Sequence, residues 1–131
     1  MEENIPVPPT PHAVFKRHEN FESWYSNNVQ IQPTEWDLKL FFGEMEVQDR
    51  TVFVQQHTAI VQSWLQVKIM HYFLTLQLGA YELTHGKIPV PQSVIPAEPV
   101  PPSGDLDTPD TRMLYEYMKK VRDEFIASLT E

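Results

Sequence analysis

The chain contains no cysteine, and this absence removes two classes of site at once. Across 131 residues neither a disulfide framework nor a thiolate-bound metal centre can form. Glycine is almost as scarce, with four residues, so the glycine-rich loops that surround phosphate groups are nearly excluded. The sequence patterns of Walker loops, dinucleotide-binding folds, serine hydrolases and zinc proteases are missing too. We therefore expect a protein that is not an enzyme and binds no cofactor.

Basic residues are also few. Ten Lys and Arg stand against eighteen Asp and Glu, which gives a formal net charge of -8. Nucleic-acid binding requires clustered positive charge, so no nucleic-acid partner is expected. Residues 1–11 are acidic and interrupted by proline, unlike a signal peptide, and the most apolar helical segment carries too many polar residues for a membrane span. A cytoplasmic protein without a membrane partner is the expectation.

Proline, by contrast, is abundant and concentrated. Eleven of the twelve prolines lie in residues 6–11 and 89–109, and proline fixes φ and donates no backbone hydrogen bond. The linker between the two helical segments is either a solvated spacer or a segment that follows a protein surface. The predicted organisation is a flexible tail over 1–20, an oligomerising domain of sheet and long helix over 21–88, the linker over 89–108 and a C-terminal amphipathic helix over 109–131.

Between the proline-rich segments, apolar residues alternate with a period of two. Residues 28–32, 36–42 and 50–61 each show this alternation, which is typical of half-buried strands. The connections are short, so the strands are expected to form an antiparallel meander, with residues 21–25 as an optional fourth strand. Gly43 is expected to mark a bulge or bend. In the third strand, one face is expected to hold Val52, Val54 and Ile60, and the other Phe53, Ala59 and Val61.

A long helix is predicted over residues 64–85, with Ser63 as its N-cap and Gly86 just past its end. Its apolar residues form two stripes, and a small sheet covers one at most. Because each exposed Leu or Phe forfeits about 1.5–3 kcal/mol, the second stripe is expected to meet another subunit in a dimer or tetramer. The first stripe contains Leu65, Ile69, Phe73, Leu76, Ala80 and Leu83, and the second stripe, the predicted oligomer interface, contains Val67, Met70, Leu74, Leu78 and Tyr81.

A second helix is predicted over residues 110–129, with Thr108 as its N-cap and Pro109 at its first position. It has one apolar stripe, so it is expected to dock on its own domain, on another subunit or on a partner. Aromatic residues near the strands serve either as core packing or as a surface for a protein partner or client. The candidate partner-binding residues are Trp24, Tyr25, Phe41, Phe53, Leu114, Tyr117, Val121 and Phe125.

Histidines are the remaining candidates for metal or acid–base chemistry. His71 and His85 lie on one predicted helix about 21 Å apart, which excludes shared ligation of a metal within one chain. His71 meeting its copy across a symmetric interface leaves a small-ligand or metal site as a distant alternative. Neighbouring carboxylates, such as Glu44 and Glu46, are interpreted as edge charges that discourage aggregation. No metal ligand and no catalytic residue is assigned.

Four segments carry a recognisable pattern: Y-S-N-N-V-Q-I at 25–31, W-D-L-K-L-F-F-G at 36–43, V-F-V at 52–54 and Y-E-L-T-H-G-K-I-P at 81–89. They resemble a family of short bacterial proteins of unknown function, whose pattern is an N-x-V-x-I strand, a D-x-x-x-x-F-G strand and a long helix ending in Y-E-x-x-x-G-x-I-P. The resemblance implies no activity, ligand or catalytic residue. The order of elements is also similar to that of the SecB export chaperone, whose grooves hold unfolded chains.

The combined prediction is an α+β fold: an antiparallel meander of three or four strands, a long helix, a proline-rich linker and a C-terminal amphipathic helix, in a layout similar to SecB. The predicted function is a non-enzymatic, homo-oligomeric protein-interaction module. The alternative is a SecB-like chaperone that holds unfolded or apolar segments of client proteins, and the second alternative is the ligand or metal site at the helix interface.

Overall fold

The computed structural model describes residues 11–130 and has the expected α+β fold. The described residues cluster in two compact units, which divide between Val67 and Lys68. The prediction of four segments along the chain stays a prediction. The strands are β1 (Asn28–Pro33), β2 (Asp37–Gln48) and β3 (Thr51–Ser63), the helices are α1 (Trp64–His85) and α2 (Pro109–Ser128), and short 3₁₀ turns cover Gln92–Val94 and Gly104–Leu106.

The sheet is a three-stranded antiparallel meander in the order β1-β2-β3, as the short connections predict. Residues 21–25 belong to no strand, so the four-stranded alternative is wrong. In place of strand pairing, this segment reaches β3 through the carbonyl of Tyr25, which lies 2.8 Å from Nε2 of His57. The meander therefore contains only the three strands already predicted from alternation in the described part of the chain.

A β-bulge interrupts the pairing of β2 and β3 at Gly43. Phe42 pairs with Thr58, whereas Gly43 pairs with Gln56, so His57 is the extra residue of β3. The predicted bulge at Gly43 is confirmed. An extra residue inverts the alternation of side chains, and the predicted faces of β3 are wrong for that reason. The register places Phe53 with Ile60 on the first face, the one that holds Leu38 and Leu40, and Val52, Val54, Ala59 and Val61 on the second face.

The first face of the sheet holds the small core of this unit. Leu38 and Leu40 are 8% and 7% exposed, and they are the buried hydrophobic residues within residues 11–130. Leu40 lies between Ile31 of β1 and Ile60 of β3, both of which remain more than 40% exposed. The sheet thus buries the first half of β2 and leaves these apolar residues of both edge strands accessible.

Helix α1 begins and ends at the predicted residues. Oγ of Ser63 accepts a hydrogen bond from the backbone N–H of Gln66 at 3.2 Å, which satisfies one of the free donors of the first turn. At the other end, Gly86 has φ of 88°, and its N–H donates to the carbonyl of Glu82 at 2.9 Å. This left-handed conformation is open to glycine without steric cost, so both predicted caps are confirmed.

Helix α2 begins with the predicted cap. The side chain of Thr108 accepts from the N–H of Thr111, whose hydroxyl bonds back to Thr108, and Pro109 occupies the first turn. Arg112 of α2 forms an ion pair at 2.9 Å with Asp107, which lies just before the helix. The hydrogen bond from the Arg112 guanidinium holds the pKa of the Asp107 carboxyl below its usual value.

The linker lies along the surface of α2 and is not a free spacer in solvent. Nε of Arg122 donates to the carbonyl of Pro96 at 2.9 Å, and Arg122 forms a longer ion pair with Glu98 at 3.7 Å. Only 22% of the Arg122 side chain is exposed, so the guanidinium and its alkyl stem lie mostly under the linker. Of the two alternatives for this segment, the structure therefore has the surface-following one.

Candidate functional site

The second stripe of α1, the predicted oligomer interface, is largely accessible. No residue of α1 is buried, although the helix is 22 residues long. Val67 and Met70 are half-buried, and the later members of the stripe, Leu74, Leu78 and Tyr81, are 59%, 54% and 52% exposed. The first stripe is equally open, since Leu65, which belongs to the sheet unit, is 71% exposed. The sheet was expected to cover the first stripe, but it does not cover Leu65.

The end of α1 is locked by a clamp that the sequence did not reveal. The Glu82 carboxylate accepts a hydrogen bond from the backbone N–H of Ile88 at 2.8 Å, while the Glu82 carbonyl accepts from Gly86. The ring of His85 stacks on Tyr81 with centroids 4.4 Å apart. Glu82 thus bonds both to the left-handed residue Gly86 and to the start of the linker at Ile88.

Trp24 and Tyr25 are brought together with the bulge of β3. Trp24 stacks on the His57 ring at 4.8 Å with an angle of 19° between the planes, and the two His57 nitrogens bond to the Tyr25 carbonyl and to Thr58 Oγ1. Both aromatic side chains stay accessible, at 59% for Trp24 and 71% for Tyr25. These contacts give His57 a structural role in joining the segment before β1 to the edge strand.

Phe41 and Phe53 lie on opposite faces of the sheet and form no common site. Phe41 is half-buried on the second face, whereas Phe53 is 53% exposed on the first. Phe53 and Gln55 line a cleft of about 100 Å³ with the carboxylates of Glu44 and Glu46. The sheet therefore separates these two candidate partner-binding residues.

The apolar stripe of α2 is shared between two grooves along the linker. Tyr117, Val121 and Phe125 line one of about 470 Å³. Leu114 lines the other, of about 390 Å³, with Pro101 and Pro102. The sequence indicated the helical side of these grooves, but not the proline walls. The part of the linker in the first groove consists of Pro96, Ala97 and Pro99, which no periodic pattern marks.

The described residues contain neither a metal cluster nor a membrane span. Within residues 11–130, no three His, Asp or Glu side chains are placed to hold a metal ion. No helix of that range is long and apolar enough to cross a membrane. A site built from His71 of two copies remains a prediction, because it needs a second chain.

Asn27 continues the pairing of β1 beyond its first residue by means of its side chain. Its Oδ1 accepts from the N–H of Met45 at 2.6 Å, and its Nδ2 lies 3.4 Å from the Met45 carbonyl. The backbone N–H of Asn27 and the hydroxyl of Ser26 both donate to the carbonyl of Gly43. These bonds hold β2 immediately beside the bulge.

The chain was compared with protein families, curated proteins and solved structures. Residues 3–89 match the family described as protein of unknown function (DUF3467), which is about two thirds of the sequence. The chain belongs to the DUF3467 family. The resemblance predicted over residues 25–90 is confirmed, while the linker beyond Pro89 and α2 lie outside the match. No curated protein and no solved structure matches, so the similarity to SecB is not confirmed.

The residues that carry the resemblance to DUF3467 stabilise the fold. Asn27 bonds to Met45, Gly43 accommodates the bulge, Glu82 closes α1, and Gly86 takes the left-handed conformation. Asp37 closes the turn between β1 and β2, because its carboxylate accepts from the hydroxyl of Thr34 at 2.8 Å. In this DUF3467 protein the pattern therefore describes how strands and helix are joined.

Replacing Glu82 by alanine is expected to loosen the end of α1. The Ile88 N–H loses its acceptor, which costs about 1 kcal/mol for a hydrogen bond to a charged group near the surface. Amide hydrogen exchange should show faster exchange at Ile88. Glu82→Gln is the matched control, since its side-chain carbonyl still accepts; equal exchange in both variants would contradict the clamp.

Two substitutions of Asn27 distinguish the contributions of its two side-chain hydrogen bonds to stability. Asn27→Ala removes both and is expected to lower the free energy of unfolding by about 1–2 kcal/mol. Asn27→Asp keeps the acceptor of the short bond to Met45 N–H and loses only the donor, so it should fall between wild type and alanine. Urea unfolding measures all three proteins, and an alanine variant as stable as wild type would disagree with this role.

Proposed function

We propose that this DUF3467 protein is a homo-oligomeric protein-interaction module without enzymatic activity, and that copies associate through the second stripe of α1. The observation that carries the proposal is the exposure of α1: none of its residues is buried, and Leu74, Leu78 and Tyr81 are each more than half exposed. Burial of each such side chain is favourable by about 1.5–3 kcal/mol, so contact with a second copy would stabilise this surface.

The small core of the sheet supports the same proposal. Leu38 and Leu40 are the buried hydrophobic residues among 11–130, and a three-stranded sheet needs an apolar layer against one face for stability. Chains of this length normally bury well over half of the surface that they expose when unfolded. Association between copies supplies burial that the described part of one chain does not.

The chemistry of the second stripe also suits an interface between copies. All five members are aliphatic, aromatic or Met, while Lys68 and Thr75 lie on another side of α1. Interfaces between identical chains have an apolar centre and a polar rim, and their helices pack along such stripes. From Val67 to Tyr81 the stripe is about 21 Å long, enough for several turns of helix contact.

The test of this proposal is the mass of the protein in solution. Static light scattering coupled to gel filtration at micromolar concentration should give a multiple of the 15.3 kDa chain mass. Dilution should shift the equilibrium toward the single chain, because association depends on concentration. A stable 15.3 kDa species over the whole concentration range would overturn the proposal.

A second candidate function, holding apolar segments of client proteins, is favoured by the open sheet. Val29 and Ile31 are 46% and 55% exposed on the first face, and Val47 and Val52 are 67% and 55% exposed on the second. Apolar patches of this kind are typical of protein-binding surfaces. Aggregation of a chemically unfolded model enzyme should then be suppressed at a near-stoichiometric ratio. Val47→Asp with Val52→Asp should abolish suppression and leave the oligomer mass unchanged; no suppression by wild type would exclude this candidate.

A further inference from the structure

The N-terminal segment repeats two tetrapeptides of the linker. Residues 5–8 read Ile-Pro-Val-Pro, as residues 88–91 do, and residues 6–9 read Pro-Val-Pro-Pro, as residues 99–102 do. Residues 5–9 lie outside the described residues, whereas both linker copies lie within them. The linker copies therefore show how this sequence is accommodated by the protein.

Each linker copy lies against apolar side chains of a helix. In the first copy, Ile88 and Val90 line a groove of about 190 Å³ with Leu78 of α1 and with Phe125 and Leu129 of α2. In the second copy, Val100, Pro101 and Pro102 line the groove of about 390 Å³ that also contains Leu114. Because proline donates no backbone hydrogen bond, such segments are held mainly by apolar contact.

The groove of about 470 Å³ on α2 lies between these two contacts, and Pro99, the first residue of the second copy, forms part of its linker side together with Pro96 and Ala97. Its helical side is aromatic and aliphatic, and Tyr117, Val121 and Phe125 are 63%, 46% and 38% exposed. Grooves lined by aromatic side chains bind extended proline-rich segments, which lose little entropy on binding because they are already extended. This groove therefore has the chemistry that recognises a third copy of the repeat.

The length of the groove agrees with that occupant. Five residues in the polyproline conformation span about 16 Å, and Tyr117 to Phe125 on α2 span about 12 Å. Arg122 also lines the groove, and its guanidinium is already paired with Glu98 and the Pro96 carbonyl, so the contact is expected to be mainly apolar.

We propose that residues 5–9 of one copy occupy the α2 groove of a second copy, at Tyr117, Val121 and Phe125. This inference rests on the proposed homo-oligomer. Within an oligomer the segment is present at a high effective concentration, so a contact of five residues is sufficient for binding. The N-terminal segment is then a second link between copies, in addition to α1.

Photo-crosslinking of the full-length chain tests the contact. The substitution Thr10→p-benzoylphenylalanine places the reactive group beside the repeat and leaves the repeat intact. Normal and ¹⁵N-labelled chains are unfolded together, refolded and irradiated, and crosslinked peptides are identified by mass spectrometry. Crosslinks to the α2 peptide around Val121 are expected, with mixed-isotope pairs as abundant as single-isotope pairs, which only a contact between copies produces.

Variants define the controls. Val121→Asp should reduce this crosslink roughly tenfold, as expected for the loss of one apolar anchor. Lys120→Asp places a carboxylate one residue away and should leave the crosslink unchanged. Ile5→Asp with Val7→Asp tests whether the crosslink depends on the N-terminal segment, without altering α2. Crosslinks scattered over the chain, or pairs of one isotope only, would overturn the proposal. Light scattering on the same sample distinguishes absence of this contact from absence of the oligomer.

Discussion

If copies associate as proposed, replacing Leu74 and Leu78 together by aspartate is expected to convert the proposed oligomer into the single 15.3 kDa chain. Each substitution removes about 1.5–3 kcal/mol of apolar burial and places an unpaired carboxylate in the interface. A combined loss of at least about 4 kcal/mol weakens association roughly a thousandfold. Light scattering over a range of concentrations measures the change in mass.

Two control variants make this result specific to the second stripe. Lys68→Asp with Thr75→Asp introduces the same two residues on the polar side of α1 and should leave the mass unchanged. Phe73→Asp with Leu76→Asp probes the first stripe, whose side chains are 53% and 49% exposed. Dissociation by this variant alone, with Leu74→Asp and Leu78→Asp still oligomeric, would place the interface on the first stripe and contradict the assignment.

Replacing Gly43 by alanine is expected to destabilise the sheet by about 3 kcal/mol, at the upper end of the cost of overpacking. A Cβ at this position would lie 2.5 Å from the carbonyl oxygen of Gln55 and 3.0 Å from the Cα of Gln56. Both neighbours are backbone atoms of β3, so no side chain can rotate away to relieve the contact. Thermal and urea unfolding should show a lower midpoint.

Gly79 is the matched control for this substitution. It lies within α1, and a Cβ there meets no atom within 4 Å. Alanine is preferred to glycine inside a helix by about 1 kcal/mol, so Gly79→Ala should raise the unfolding midpoint or leave it unchanged. If both glycine variants lowered the midpoint equally, the bulge would not be the reason for glycine at 43.

Features that depend on neighbouring residues were predictable from the sequence. Ser63, Gly86 and Thr108 cap helices through bonds to residues no more than four positions away, and the observed helices begin and end within one residue of the prediction. The two stripes of α1 likewise follow from helical geometry alone. The apolar character of the proposed oligomer surface could therefore be predicted without knowledge of the fold.

Features that depend on distant residues were not predictable. The faces of β3 were misassigned because the bulge arises only when Gly43 pairs with Gln56, and one extra residue reverses the alternation. The proline side of the α2 groove was missed because Arg122 reaches Pro96 across 26 positions of sequence. Neither contact leaves a periodic signal along the chain.

The sequence by itself determined the family, the order of strands and helices, their caps and the excess of apolar surface on α1, since each follows from local hydrogen bonding or side-chain periodicity. Only the tertiary structure decided where the alternation of β3 inverts and which surface the linker follows. It also showed that the pattern residues Asn27, Gly43 and Glu82 join elements together. These are questions of pairing between distant segments, and the free energy of such pairing depends on three-dimensional contacts that no single segment contains.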